Sequence, residues 1–314
     1  MHQAFRCWFS SRRHRVKPIT AGYDIALIGA GRVGQTLGRR LVALGHRLTI
    51  VACRTRAAAE RAVAFIGTGQ PTTYDEAPLD VVQTGRGVVC ITTPDDAIAP
   101  TAVHLAHRQP PWHGVVVFHC SGALSSTVLH ILRPCGAQVG SMHPLYAFGT
   151  AIADPEILRG VHWCIEGDAA AKHVARRLIG DLGGHVSEIQ PEHKILYHAA
   201  AAVAGNLITG LMSVSFSMLA PCGMAPEQAR AMLIRLSEGV LQRIKAEGEV
   251  VALAGPISRG DAATVAQHLE QFHTLPPVYE AVYRSLSLEL VALARRKGAA
   301  PAAALADIET LLQG

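Results

Sequence analysis

The stretch Asp24-Ile25-Ala26-Leu27-Ile28-Gly29-Ala30-Gly31-Arg32-Val33-Gly34 constrains this chain more than any other. A short apolar run leads directly into glycines spaced G-x-G-x-x-G, and these open the periodic pattern of a helix. Each glycine has its own physical task. Gly29 permits a tight turn, Gly31 lets a pyrophosphate approach the backbone, and Gly34 lets the helix pack closely on the strand. The helix start offers unpaired N–H groups and the positive end of its dipole, which favour phosphate. The loop formed by Gly29, Ala30, Gly31, Arg32, Val33 and Gly34 is therefore expected to hold a dinucleotide.

The alternation continues along the chain. Strands are expected at 23–28, 48–52, 87–92, 115–119, 137–142, 161–166 and 185–189, with helices at 33–44, 57–65, 95–107, 124–132 and 170–182. Continuous apolar runs such as Val115–Phe118 suit strands buried on both faces. Such βαβα order predicts an α/β fold, a Rossmann-type doubly wound, mainly parallel sheet. From Pro191 onward the pattern is helical only, at 191–219, 226–246, 261–272, 277–296 and 301–312. With 314 residues there is chain enough for two domains. The expected organisation is a disordered basic extension over 1–22, a dinucleotide-binding domain over 23–190, and an all-α substrate or dimerisation domain over 191–314.

The net charge of +5 comes from that extension: Arg6, Arg12, Arg13, Arg15 and Lys17 precede any acid. Without them 24 basic residues face 24 acidic ones, which argues against a nucleic-acid groove. The extension has no apolar core, so it does not read as a secretory signal, although a transit peptide is an alternative. The apolar stretch 199–220 carries polar interruptions and reads as a buried helix rather than a membrane span. Seven cysteines without a C-x-x-C pair suit reduced thiols and a cytoplasmic protein. The 16 histidines show no ligand spacing, so no metal is expected.

About 20 residues past the glycines, where a ribose-binding carboxylate usually stands, the second strand ends in Cys53-Arg54-Thr55-Arg56. A guanidinium and a hydroxyl suit a 2′-phosphate, so NADP(H) is favoured over NAD(H). Thr93 and Pro94, at a later strand end, are placed beside the nicotinamide ribose, and Asp95 reads as a helix N-cap. Two further strand ends are polar: His119-Cys120-Ser121-Gly122 and Ser141-Met142-His143-Pro144. Ser121 is a candidate for a substrate oxygen and His143 for proton transfer. The alternative for His143 is a structural turn residue. His119 suits the sheet core, and Ser125 or Ser126 a helix cap. On the first long helix of the second half, Lys194 and His198 share a face, with Asn206 two turns further on. Arg259, in the loop Gly255–Asp261, is a candidate clamp for a carboxylate, or a purely structural link. Asp261 reads as an N-cap with Thr264 three residues on.

Together these blocks resemble a family. The N-terminal half resembles the 6-phosphogluconate dehydrogenase-like Rossmann oxidoreductases. The blocks His119–Ser126, Ser141–Phe148, Leu196–Asn206 and Gly255–Leu269 resemble an uncharacterised subfamily that joins such a domain to a helical C-terminal domain of unknown function. The resemblance implies fold and cofactor class but no substrate. In the related β-hydroxyacid dehydrogenases and ketopantoate reductases, a catalytic lysine on the corresponding helix is followed four residues later by asparagine. Here Lys194 matches and His198 replaces the asparagine. Prephenate dehydrogenases carry a serine and a His-Pro pair spaced like Ser121 and His143-Pro144.

These readings converge on an NADPH-dependent reductase of a small carbonyl compound of the 2-oxo acid type, probed through Ser121, His143, Lys194, His198, Asn206 and Arg259. The alternatives are an imine reductase, a prephenate dehydrogenase-like enzyme, and a non-catalytic NADP(H)-binding sensor. The apolar helical half suggests a homodimer.

Overall fold

The computed structural model describes residues 22–314 other than 83, 109–111, 153 and 155. The basic extension expected over 1–22 lies outside the described residues up to 21. The chain divides into two compact units, the first ending at Ala201 and the second running from Ala202 to Gly314.

The first unit is built on an eight-stranded sheet. In chain order it contains β1 (Asp24–Ile28), α1 (Arg32–Ala43), β2 (Arg47–Cys53), α2 (Arg56–Ile66), β3 (Gln70–Thr73), β4 (Gly87–Ile91), α3 (Asp95–His107), β5 (Val116–His119), β6 (Gln138–Pro144), β7 (His162–Gly167), α4 (Ala169–Asp181) and β8 (His185–Glu188). The strand order is β3-β2-β1-β4-β5-β6-β7-β8. All pairings are parallel except β6 with β7. The expected mainly parallel, doubly wound sheet is what the chain forms.

Alternation along β1 shows why both faces must be covered. Ile25 and Leu27 join one core with Leu37 and Leu41 of α1, Ala59 and Ala62 of α2, and Ala175 and Leu178 of α4. Ala26 and Ile28 join the opposite core with Ile98, Ala102 and Leu105 of α3 and Trp112. Successive strand side chains point to opposite faces, so a strand apolar at every position needs a layer on each side.

Two elements differ from the sequence expectation. Strand β3 reads Gln-Pro-Thr-Thr and was not expected; it sits at the sheet edge, where a proline lacking its N–H is tolerated. The segment expected to be helical over 124–132 forms a 3₁₀ turn, Ser126–Leu132, with no side-chain cap. Neither serine caps it. Ser126 instead donates from both its backbone N–H and its hydroxyl to the buried carboxylate of Glu166, at 2.7 and 2.6 Å.

Helix α5 (Lys194–Ala204) starts in the first unit. It is followed by α6 (Asn206–Ser217), α7 (Pro226–Glu247), α8 (Glu249–Ala252), α9 (Pro256–Arg259), α10 (Ala262–Gln271), α11 (Pro277–Lys297) and α12 (Ala302–Gln313). No strand occurs among the described residues after Glu188. The single helix expected over 191–219 is broken at Gly205, which stands between α5 and α6. The core of the second unit gathers Val265 and Leu269 of α10, Val291 and Ala294 of α11, and Leu305, Ile308 and Leu312 of α12. Asp261 caps α10, accepting from the Thr264 N–H at 3.1 Å and its hydroxyl at 2.7 Å, as the spacing predicts.

The reading of 199–220 as a buried helix is corrected. No residue of α6 is buried, and Val203, Leu207, Ile208 and Leu211 are exposed. By length and composition alone, the stretch Pro191–Ser217 is apolar enough to cross a membrane.

Replacing Asp261 with alanine removes both capping bonds. It is expected to cost about 1 kcal/mol, measured as a lower urea midpoint.

Candidate active site

The site lies at the carboxyl ends of the parallel strands. The chain reverses direction across the sheet between β1 and β4, and in open α/β sheets a ligand crevice opens at such a point. The two strand ends are tied together: the Thr92 N–H donates to the Ile28 carbonyl at 2.8 Å, and the Thr92 hydroxyl donates to the Gly29 carbonyl. Gly29 has φ +80°, and a Cβ there would lie 2.9 Å from the Thr93 nitrogen. A Cβ at Gly34 would lie 2.9 Å from the Gly29 carbonyl oxygen. At Gly31 a Cβ would meet nothing within 4 Å, because that side is open.

A cavity of about 820 Å³ opens over this loop, lined by Gly29–Val33, Arg54, Thr55, Arg61, Tyr74 and Thr92–Pro94. The residues present fit a dinucleotide. Helix α1 has no side-chain cap and no acid in its first turn, so its leading N–H groups are left for an anion. The Thr93 hydroxyl is buried without a partner in the protein, among the described residues. Arg54 and Arg61 line the cavity with no hydrogen-bonded partner among the described residues. Thr55 caps α2 by accepting from the Ala58 N–H at 3.2 Å, and its own proton remains to be donated. The Arg32 guanidinium donates to the Gly149 carbonyl at 2.9 Å. Pro94 occupies the N-cap position of α3, so Asp95 is the first helical residue rather than the cap.

The next two strand ends and α5 bring together a cluster within the first unit. Lys194 is 1% exposed and donates through Nζ to Ser141 Oγ on β6 at 2.5 Å. Burial pushes its ammonium below the usual lysine range, against the opposing pull of Glu166. His143 Nδ1 lies 2.9 Å from the Tyr197 hydroxyl, with the two rings edge to face. A Cβ on Gly122 would fall 2.8 Å from His143 Nε2 and 2.8 Å from His198 Cδ2. Both imidazoles thus close on one bare stretch of backbone, where a side chain would have to displace one of the rings.

Environment separates the groups. Burial, then the charges of Lys194 and His198, push His143 down to about 4. Burial takes His119, fully enclosed in the sheet, to about 3, and its Nδ1 accepts from the Ser121 N–H at 3.2 Å. His198, on the same helix as Lys194, is exposed. Burial pushes the Cys120 thiol up to about 12, which makes it an inert apolar group.

Ser121, expected to meet a substrate oxygen, uses its hydroxyl within the protein. It donates to Asp95 at 2.8 Å and accepts from the Ala123 and Leu124 N–H groups at 3.1 and 3.0 Å. It builds the turn that presents Gly122. Asn206 and Arg259 belong to the second unit. Asn206 is the exposed first residue of α6, and Arg259 ends α9 with its side chain 66% exposed, 4.0 Å from Asp261. Among the described residues no group of three or more His, Cys, Asp or Glu side chains is placed to hold a metal ion.

Sequence reasoning missed Tyr197, Thr92 and Arg61. Tyr197 was within reach, three residues after Lys194 and so on the same side of the helix. Arg61 likewise follows Ala58 by three on α2. Thr92 carried no signal of its own, since its role depends on how closely two strand ends approach.

Because His119 and His143 are held neutral in the fold, the unfolded chain binds more protons than the native one between pH 6.5 and about 4. Stability is therefore expected to fall as pH drops through that window. In His143→Gln the decline, read as the urea midpoint against pH, should be shallower by up to about one proton.

Comparison with known proteins agrees with this architecture. The Rossmann-like domain family matches residues 14–144, and the domain of unknown function DUF2520 matches residues 161–290. No protein with a curated description matches the sequence. Among solved structures, a Thermotoga maritima protein is 23% identical with a TM-score of 0.69, covering 87% of this chain and 99% of its own. A Bacteroides fragilis protein, provisionally assigned as an NADP oxidoreductase, is 17% identical with a TM-score of 0.66, covering 86% of this chain and 98% of its own. An imine reductase from Pseudomonas sp. is 14% identical with a TM-score of 0.56, covering 93% of each chain. At these identities the likeness concerns the fold. The chain carries a Rossmann-like domain followed by a DUF2520 domain.

Proposed function

We propose that this protein is an NADP(H)-dependent reductase of a small carbonyl compound bearing a carboxylate. The observation that carries the reading is the pair of imidazoles, His143 and His198, closing on Gly122 at the sheet edge where the glycine loop also opens. A bound nicotinamide would supply the hydride. The protein's share is binding, orientation and proton handling.

The N–H groups opening α1 take the pyrophosphate, and Thr93 and Pro94 border the nicotinamide ribose. Arg54, assisted by the Thr55 hydroxyl and Arg61, takes a 2′-phosphate. The adjoining recess of about 320 Å³, lined by Arg54, Tyr74, Ala97, Thr101 and His104, takes the adenine. His143, neutral at pH 7, polarises the substrate carbonyl as a hydrogen-bond donor. His198, exposed and able to exchange with water, delivers the proton. Lys194 acts as a tether to Ser141.

Following NADPH absorbance over a panel of 2-oxo acids and cyclic imines tests the reaction. Turnover of 2-oxo acids is expected; turnover of imines alone would favour imine reduction. Tight NADPH binding with no turnover would favour a sensor. Arg54→Ala is expected to weaken NADPH binding about tenfold, the loss of one charge-assisted pair, while leaving NADH binding unchanged in a fluorescence titration.

The second unit supports a homodimer. Leu236, Val240, Leu241 and Ile244 of α7 and Leu207, Ile208 and Leu211 of α6 are exposed, with Leu236 at 63%. Contiguous apolar surface of this kind marks an interaction site. Light scattering at about 10 μM should give twice the chain mass, and Leu236→Glu with Leu241→Glu should give the monomer. A monomeric wild type would remove the dimer.

A further inference from the structure

We propose that Tyr197 is a positioning residue for His143: its hydroxyl donates to Nδ1, fixes the imidazole as the Nε2–H tautomer, and so presents that N–H on the face beside Gly122 and His198. The inference rests on the reductase reading only for what the N–H would meet.

The geometry is local to the first unit. His143 is the second-to-last residue of β6, paired across the antiparallel register with Cys164 on β7. Tyr197 stands on α5, held by the helix turn that Lys194 anchors to Ser141. The hydroxyl reaches Nδ1 at 2.9 Å, and the rings cross at 84° with centroids 5.8 Å apart. The other ring nitrogen, Nε2, points to the opposite side, 2.8 Å from where a Gly122 Cβ would lie. The two nitrogens therefore have different neighbours, which is what allows a tautomer to be selected.

The direction of the bond follows from the groups available. The phenol has one proton and two neighbours, His143 Nδ1 and the Cys164 thiol. A neutral imidazole nitrogen is a strong acceptor and sulfur a weak one, so the proton goes to Nδ1. Burial raises the phenol above its ordinary value, so it keeps that proton. Burial also keeps His143 neutral at pH 7. A neutral imidazole carries one N–H, and with Nδ1 accepting it must be on Nε2. The same ring without Tyr197 would distribute its proton between both nitrogens.

Long-range proton–nitrogen correlation spectra of the full-length protein, labelled with ¹⁵N-histidine at pH 7, test this without any turnover. His143 is assigned by the signal missing in His143→Gln. The wild type is expected to show an unprotonated Nδ1 and a protonated Nε2, and Tyr197→Phe a mixture. In the kinetic assay Tyr197→Phe should lower kcat about tenfold, with KM for NADPH within about twofold, as loss of one hydrogen bond in the transition state would. A protonated Nδ1 in the wild type, or an unchanged tautomer in Tyr197→Phe, overturns the proposal. Should the variant fail to fold, the wild-type spectrum alone decides it. A failure of the reductase reading would leave the spectra as expected and remove only the kinetic effect.

Discussion

The arrangement at the carboxyl edge depends on how closely β1 and β4 approach. The Thr92 N–H extends the ladder to Ile28, and its hydroxyl reaches the Gly29 carbonyl, so the turn after β1 is clamped from the neighbouring strand. That clamp requires a bare backbone at Gly29, whose φ of +80° also strains any side chain, and at Gly34, where α1 must come down on the turn. With the turn fixed, the first N–H groups of α1 point into the cavity at Gly31, and the end of β2 presents Arg54 along its rim. The open face at Gly31 and the placing of Arg54 on the cavity rim are two consequences of one tight crossing.

A second constraint holds the other half of the edge. Lys194 places an ammonium in the interior, which costs several kcal/mol unless it is bonded and compensated. The Ser141 hydroxyl accepts its bond, and Glu166 provides the nearby opposite charge. Glu166 is itself engaged by both donors of Ser126, so the ammonium, the carboxylate and the turn after β5 form one buried polar network. The benefit of such a network is positional: the first turns of α5 cannot slide along β6 without leaving a charge unbonded. Tyr197 and His198 inherit their positions from that anchor.

Much of this was legible in the residues. The G-x-G-x-x-G after an apolar strand, the alternation through His185 and the later helix-only pattern gave the sheet and the helical half. The spacing from Asp261 to Thr264 gave a cap that the structure forms. The polar strand ends drew attention to the stretches that carry Ser121 and His143. What could not be read was set by tertiary contact. Ser121 read as a contact for a substrate oxygen and Asp95 as a helix N-cap, yet they bond to each other across two strand ends. Ser126 looked like a cap and instead meets Glu166, 40 residues away. Lys194 looked like a group exposed to substrate, because a helix-face pattern says which residues share a side and not which neighbour that side meets. The apolar residues of α6 suggested burial within the chain, since apolar composition demands a cover without naming it.

The two imidazoles at Gly122 show why burial matters more here than identity. Both are histidines, and both rings reach the same backbone. His143 is sunk between β6 and α5 beside the Lys194 charge, so its protonated form is disfavoured by desolvation and by like charge together. His198 sits one turn beyond Lys194 on the same helix and is exposed to solvent. A carbonyl reduction asks for two different services: a fixed dipole that polarises the oxygen, and a mobile proton that is replaced after each turnover. A single exposed imidazole would give the second at the expense of the first, and a single buried one the reverse. In the proposed reduction, one ring on each side of the solvent boundary would separate the roles by environment alone, with no change of residue type.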